Sequence, residues 1–184
     1  LQEKIELKKI YIADLDAIRK IGDNNMIIEK ILKIFSDLLF LIDAGFDYPR
    51  NVYNYHIRKI QIKLYNYKLV LGTETIKNFN LKSFQYFKKF ELSIDFNGSE
   101  SYWLKRIMKK KTRMDVTLMF LKKVGGRGLN MKVINSLYKD LSHHNLSIAG
   151  GIRTNQQVKQ LFRLGFSNVL SSTLLHKKLS RDNF

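Results

Sequence analysis

The chain has 184 residues, 45% of them hydrophobic, which suits one globular domain with a sizeable core and excludes a disordered chain. It has no cysteine, which excludes a disulfide framework and a thiolate metal site, and its longest apolar stretches, such as Leu38–Ile42, are too short to span a bilayer. Its 33 Lys and Arg against 16 Asp and Glu give a formal net charge of +17, a balance that attracts nucleic acid, anionic membrane or phosphorylated metabolites.

In chain order, residues 1–9 read as the tail of a helix and Ile10–Asp14 as a strand. Met26–Ser36 follows as a helix with Ile27, Ile28, Ile31, Leu32 and Phe35 on one face. Strands at Leu38–Asp43, Lys68–Leu71, Phe90–Asp95, Val116–Leu121, Leu146–Ala149 and Asn168–Ser171 then alternate with helical stretches near 52–65, 81–88, 102–110, 131–141 and 156–164. Ile10–Ala13 and Leu38–Ile42 are apolar on both faces, as strands of a covered parallel sheet are. There is one proline, Pro49, and no Gly/Ser-rich linker, so residues 1–184 read as a single domain. Strict βα alternation predicts an α/β fold, a parallel (βα) TIM-type barrel. Such a barrel needs eight strands and typically ~250 residues. Seven strands are legible and Leu1 is not a start residue, so the expectation is a domain truncated at its N-terminus that lacks strand 1.

On an eight-strand count, Ile10–Asp14 is the second strand. Polar and glycine residues gather at the C-terminal ends of the strands, the face where a βα barrel builds its active site. Asp14 and Asp16 follow the second strand, Asp43-Ala-Gly45 the third, Gly72-Thr73-Glu74 the fourth and Asp95 with Asn97-Gly98 the fifth. Gly125-Gly-Arg-Gly128 follows the sixth, Gly150-Gly151 the seventh and Ser171-Ser172-Thr173 the eighth. Gly150-Gly151 ahead of a helix suits phosphate, because glycine lets the backbone approach an anion and the helix start offers unpaired N–H groups. Ser171-Ser172 would complete the cradle; a tight turn is the plainer reading of the same glycines. The loop pair recurs faintly. Asp43-Ala-Gly-Phe46 is followed by Gly72-Thr73, and Ala149-Gly-Gly-Ile152 by Ser171-Ser172, a layout suited to a substrate with a phosphate at each end.

The other polar candidates divide less sharply. Asp14 and Asp16 are not read as an acid–base couple, which leaves Asp14 as a possible mouth residue. Glu74 reads mainly as a turn cap. Arg127, set between glycines, could clamp a phosphate. Asp95 is either a general acid or a turn residue for the Asn97-Gly98 loop. His143-His144 sits at a helix end, where a cation suits the dipole, and His56 reads as solvated. No third ligand stands at a familiar spacing, so no metal is expected.

Tyr11-Ile-Ala-Asp-Leu-Asp-Ala17, Leu71-Gly-Thr-Glu-Thr75, Leu92-Ser-Ile-Asp95, Ile148-Ala-Gly-Gly-Ile-Arg153 and Ser172-Thr-Leu-Leu-His176 resemble the HisA/HisF barrels of histidine biosynthesis, most closely the HisA-like proteins of methanogens and methylotrophs. The resemblance runs in order from Lys9 to Lys178. It implies a ribulose-phosphate-binding barrel without metal or organic cofactor, whose HisA members isomerise an N-linked aminoribosyl phosphate to an aminoribulosyl phosphate. It also implies that Asp95 is the proton donor, with its partner base on the first strand. Gly45 and Gly72-Thr73 match one phosphate loop pair, and Gly150-Gly151 with Ser171-Ser172 the other. Three positions depart from the pattern: Phe120-Leu121-Lys122-Lys123 replaces a polar sixth-strand end, Ser171 replaces a glycine, and Asp43-Ala44 replaces two glycines.

Three functions compete. One is a phosphosugar isomerase. The second is a catalytically degraded barrel that only binds a phosphorylated metabolite or a protein partner. The third is a nucleic-acid-binding protein driven by charge. The third lacks any RNP, KH, zinc-finger or helix-turn-helix signature, and the basic residues are spread along the chain. The expected partner is therefore a phosphorylated sugar or nucleotide-like small molecule, with no membrane and no nucleic acid. The default location is the cytoplasm, since no signal peptide is visible.

Overall fold

The structure, a computed structural model, describes residues 8–77, 80–84, 90–96, 100–120 and 129–174. The chain divides into two compact units, Leu1–Glu91 and Leu92–Phe184.

The first unit carries β1 (Lys9–Ala13), β2 (Leu39–Asp43) and β3 (Tyr67–Gly72), with helices α1 (Leu15–Arg19), α2 (Asn25–Ile34) and α3 (Pro49–Gln61) and a 3-10 turn at Leu81–Phe84. The strands pair in parallel, Ile10 with Phe40 and Phe40 with Tyr67, as strands joined by crossover helices must. Ile28 and Leu32, one turn apart on α2, are buried over them together with Val52 of α3. Pro49 opens α3 at the position where a missing N–H costs nothing. Ile27 and Phe35, expected on the buried face of α2, are 58% and 50% exposed: one residue turns Ile27 about 100° away from Ile28, and Phe35 is the C-cap, beyond the last helical residue Ile34. Lys9 belongs to β1 rather than to a helical tail, and the remainder of that predicted tail, residues 1–7, lies outside the described residues.

The second unit, which begins within β4 (Phe90–Asp95), continues through α4 (Ser101–Met108), β5 (Asp115–Met119), α5 (Met131–Leu141), β6 (Asn145–Ala149), α6 (Asn155–Leu164) and β7 (Asn168–Leu170). Its strands are parallel in the order β4-β5-β6-β7. Ile94, Leu118 and Ile148 lie side by side on one face and are fully buried. The opposite face is polar, with Ser93, Thr117, Ser147 and Asn168 in one row across the four strands. The first three of these are at most 2% exposed, and Asn168 Nδ2 donates to Ser147 Oγ at 3.0 Å. The βα alternation thus yields an all-parallel α/β fold in each unit. Among the described residues, no helix is long and apolar enough to cross a membrane.

Helix α6 shows how tightly the ends are specified. Thr154 and Gln157 form a capping box, and Gly165 closes the helix at φ +115 with its N–H on the Leu161 and Phe162 carbonyls. A Cβ at Gly165 would lie 2.0 Å from the Tyr138 hydroxyl. Gly165→Ala is expected to cost about 1–3 kcal/mol through that clash and the left-handed backbone. Denaturant midpoints would check it, and an unchanged midpoint would refute the clash.

Candidate functional site

The C-terminal ends of β1, β2 and β3 in the first unit are rich in carboxylates. β1 stops at Ala13, and Asp14 turns the chain into α1 as its N-cap, so the expected continuation of the strand through Asp14 does not occur. That short helix was not legible in the sequence. Asp14 Oδ1 accepts from Ala17 N–H at 3.2 Å and from Asn24 Nδ2 at 2.8 Å, and Oδ2 accepts from Asn24 N–H at 2.8 Å. Asn24 Nδ2 also reaches Asp16 Oδ2 at 3.0 Å, so Asp14 and Asp16 converge on one amide. Burial opposes the charge on Asp14, but the hydrogen bonds from Asn24, Ala17 and Asp16 outweigh it and hold the carboxyl below its ordinary value of 3.8. Asp14 therefore stabilises the fold above pH ~4, and that contribution is lost as the pH falls through its depressed folded value. Asp14→Ala is expected to lower stability at pH 7 by about 1–2 kcal/mol and to flatten the acid limb of the stability curve. Melting curves between pH 2 and 7 that keep the wild-type slope would refute this.

Asp43 ends β2 almost fully buried. Tyr11 donates its hydroxyl to Oδ2 at 2.9 Å, and Gly45 donates its N–H to Oδ1 at 3.1 Å. Gly45 is left-handed at φ +61, and a Cβ there would stand 2.6 Å from Ile18 Cα, so only glycine fits. Its carbonyl accepts from Lys20 Nζ. The loop after β3 is tied to this one. Thr75 N–H and Ile76 N–H donate to the Gly72 carbonyl, Thr75 Oγ1 reaches the Phe46 carbonyl at 3.5 Å, and Lys77 N–H donates to the Asp47 carbonyl at 3.0 Å. The structure thus brings Gly45 and Gly72 into two joined loops, with Thr73 half-buried and Glu74 exposed between them.

In the second unit, Asp95 ends β4 at 4% exposure and accepts from Ser93 Oγ at 3.0 Å. Phe96 follows and stacks on Phe120 at 4.3 Å between ring centroids. β5 ends at Met119, before Phe120, and the predicted strand residue Leu121 lies outside the described residues, as do Asn97-Gly98 and the loop that bears Arg127. Gly150 and Gly151 are both left-handed, at φ +91 and +72. Gly150 is constrained by packing, since a Cβ there would meet the Phe120 carbonyl at 2.5 Å. β7 stops at Leu170, so Ser171 belongs to the following loop. Ser171 Oγ donates to the Ile152 carbonyl at 2.8 Å and accepts from Leu174 N–H at 3.3 Å, while Ser172 is exposed. The Gly150-Gly151 and Ser171-Ser172 loops are therefore joined, as their counterparts are in the first unit. Around the start of α6, Gln157 Oε1 already takes the Arg153 and Thr154 N–H groups.

Two histidines depart from expectation. His56 is half-buried and its Nδ1 lies 2.7 Å from the Tyr67 hydroxyl, because β3 passes under α3 at that point. His144 is buried. Desolvation, the largest influence, pushes its pKa down, and Nδ1 accepts from the Met114 N–H at 3.2 Å, so it acts as a neutral linker rather than a helix-end cation. Among the described residues, no group of three or more His, Cys, Asp or Glu could hold a metal ion.

No protein-family model matches the chain. Over 175 residues it is 30% identical to the uncharacterized protein MJ0703 of Methanocaldococcus jannaschii, a match that covers 92% of this chain and 72% of that protein.

Proposed function

The chain belongs to the family of that Methanocaldococcus jannaschii protein, and we propose that it is a HisA-like phosphosugar-binding (βα) barrel. The observation that carries this reading is the pair of joined loops after β6 and β7. There Gly150 and Gly151 turn left-handed, and Ser171 Oγ ties its loop to the Ile152 carbonyl at 2.8 Å. Glycines at strand ends let backbone N–H groups approach an anion, and the last two βα loops are where such barrels place phosphate. The surrounding charge agrees, since residues 92–184 hold 17 Lys and Arg against 5 Asp and Glu. With Asp95 as proton donor, the reaction would be an aldose–ketose isomerisation of an aminoribosyl phosphate.

A second reading, a barrel that binds the ligand without turning it over, draws on Phe120. An apolar ring stacked on Phe96 stands where the resemblance implies a polar strand end.

Inorganic phosphate and ribose 5-phosphate test the shared part of both readings. Either should raise the melting temperature through preferential binding to the native state, by the equivalent of about 2.7 kcal/mol at a hundred times Kd. Gly151→Asp should abolish the rise, because it sets a carboxylate and a strained side chain where the anion sits. At ~4 Å such a like-charge pair costs about 4 kcal/mol in a partly exposed site. A wild-type chain without a shift at millimolar ligand, or a mutant with an unchanged one, would sink the reading.

A further inference from the structure

The loops after β2 and β6 share a short sequence pattern and one left-handed glycine; they differ at the residue before it, where Gly150 is left-handed at φ +91 and Ala44 is not, and in their chemistry. Ile42-Asp43-Ala44-Gly45-Phe46 aligns with Ile148-Ala149-Gly150-Gly151-Ile152. The flanking residues match in burial: Ile42 and Ile148 are both 0% exposed, and Phe46 and Ile152 are 3% and 2%. Gly45 and Gly151 share the left-handed conformation, at φ +61 and +72. The chemical difference lies two residues earlier. In the first loop the Asp43 carboxylate reaches forward and takes the Gly45 N–H at 3.1 Å, held from its other oxygen by the Tyr11 hydroxyl at 2.9 Å. In the second loop that position is Ala149, which has no side-chain oxygen to offer.

We infer that Asp43 is an internal surrogate for an anion, which closes the first loop to phosphate and leaves the second of these two loops as the phosphate site. The ligand class is then a phosphate monoester rather than a bisphosphate. This rests on the anion reading of the Gly151 loop, and three further observations support it. First, an N–H that already donates to a carboxylate has no hydrogen for an incoming phosphate oxygen. Second, the carboxylate is buried, with Asp14 at the end of neighbouring β1 and Asp47 in the same loop at 3% and 8% exposure, so a phosphate there would enter a field of like charge. Third, the charge is divided accordingly. Residues 1–91 hold 16 Lys and Arg against 11 Asp and Glu, while residues 92–184 hold 17 against 5. Lys20 and Lys77 lie 3.8 and 3.9 Å from Asp47, and Lys20 also donates to the Gly45 carbonyl, so both cations beside this loop already have acceptors.

The test is a phosphate titration of the 15N-labelled chain, following the Gly45 and Gly151 amide resonances separately. In the wild type the Gly151 amide should move with phosphate and the Gly45 amide should stay still. Asp43→Ala, and Asp43→Ala/Ala44→Gly, which writes the second loop's Ala-Gly-Gly into the first, should make the Gly45 amide responsive. Asp43→Asn keeps the acceptor on the Gly45 N–H and should leave it silent, which separates occupation of the amide from charge alone. Tyr11→Phe combined with Asp43→Ala repeats the measurement without a hydroxyl left unpaired, should the single variant lose stability. A wild-type Gly45 amide that shifts together with Gly151 overturns the proposal, as does a Gly45 amide that stays silent in every alanine variant. Failure of the anion reading gives a different result: the Gly151 amide fails to move in the wild type, whatever Gly45 does in the variants.

Discussion

Replacing Glu29 by alanine is expected to destabilise the first unit by about 3 kcal/mol, near the lower end of the range for breaking a buried ion pair. Lys59 on α3 is 0% exposed, and its ammonium is held by Glu29 Oε1 of α2 at 2.8 Å, with Asn25 Oδ1 at 3.3 Å and the Tyr55 ring face at 4.3 Å. Burial presses Lys59 toward the neutral form, and the Glu29 hydrogen bond is the main influence that opposes it. Without the carboxylate, a charge lies buried with only an amide and a ring for partners. Arg58 also binds Glu29 at 2.8 Å, but it is about half exposed and its loss adds little. Lys59→Met keeps the volume and removes the charge, so it should lie within about 1 kcal/mol of wild type. Combined with Glu29→Ala, it should recover most of the loss. Urea midpoints of the four chains decide the matter, and a Glu29→Ala cost below about 1 kcal/mol would show that the pair is not needed. Burial raises the Glu29 pKa, but its bonds to Lys59 and Arg58 lower it further, leaving it below its ordinary 4.5. Its contribution is thus present above that pH and lost as the pH falls through the folded value.

This clamp was invisible in the sequence, and the reason is physical. Lys59 lies on a helix with a weak apolar stripe, Pro49–Gln61, and a lysine there reads as solvated until its partner on another helix is known. What could be read was whatever depends on local pattern. All seven strands begin and end within two residues of expectation, because short apolar runs bounded by polar residues are periodic signals. Helix α1 was missed because its five residues hold barely more than one turn, too few for a 3.6-residue period to appear. The polar row Ser93-Thr117-Ser147-Asn168 was partly visible as alternation in Leu92-Ser-Ile-Asp95 and Leu146-Ser-Ile148. It becomes a row only through the register that pairs Ser93 with Thr117 and Thr117 with Ser147.

The candidate site divides in the same way. Glycine positions were legible, since Gly45, Gly150 and Gly151 all adopt the left-handed backbone that favours the residue. The occupants of the loops were not. Nothing in the spelling Asp43-Ala-Gly45 distinguishes a carboxylate that lines a mouth from one that folds back onto the Gly45 N–H. Likewise Ser171 was read as part of a phosphate cradle, and the sequence did not show that its hydroxyl also ties two loops together. Side chains that satisfy their own backbone stiffen a site without contacting substrate, and only coordinates separate the two roles.

Asp95→Asn is expected to lower any aldose–ketose isomerisation by about 10²–10⁴-fold with little change in ligand affinity. Asp95 stands at the end of β4 at 4% exposure, apart in sequence from the Gly150-Gly151 and Ser171-Ser172 loops proposed to hold phosphate. Ser93 Oγ fixes its Oδ1 at 3.0 Å, and asparagine retains that acceptor, so the substitution removes a titrating proton and leaves the geometry in place. A group that acts only in the proton-transfer step should therefore affect turnover and not binding. The resemblance pairs Asp95 with a base at the end of the barrel's first strand, so turnover and ligand binding are measured separately. Asp95 and its Asn variant are compared with an aminoribosyl phosphate as substrate. Intact turnover in Asp95→Asn would remove Asp95 from the mechanism. A wild-type chain that binds ligand through Gly151 yet turns none over would decide for the binding-only barrel, with the Phe96–Phe120 stack as the first place to look for the lost polar group.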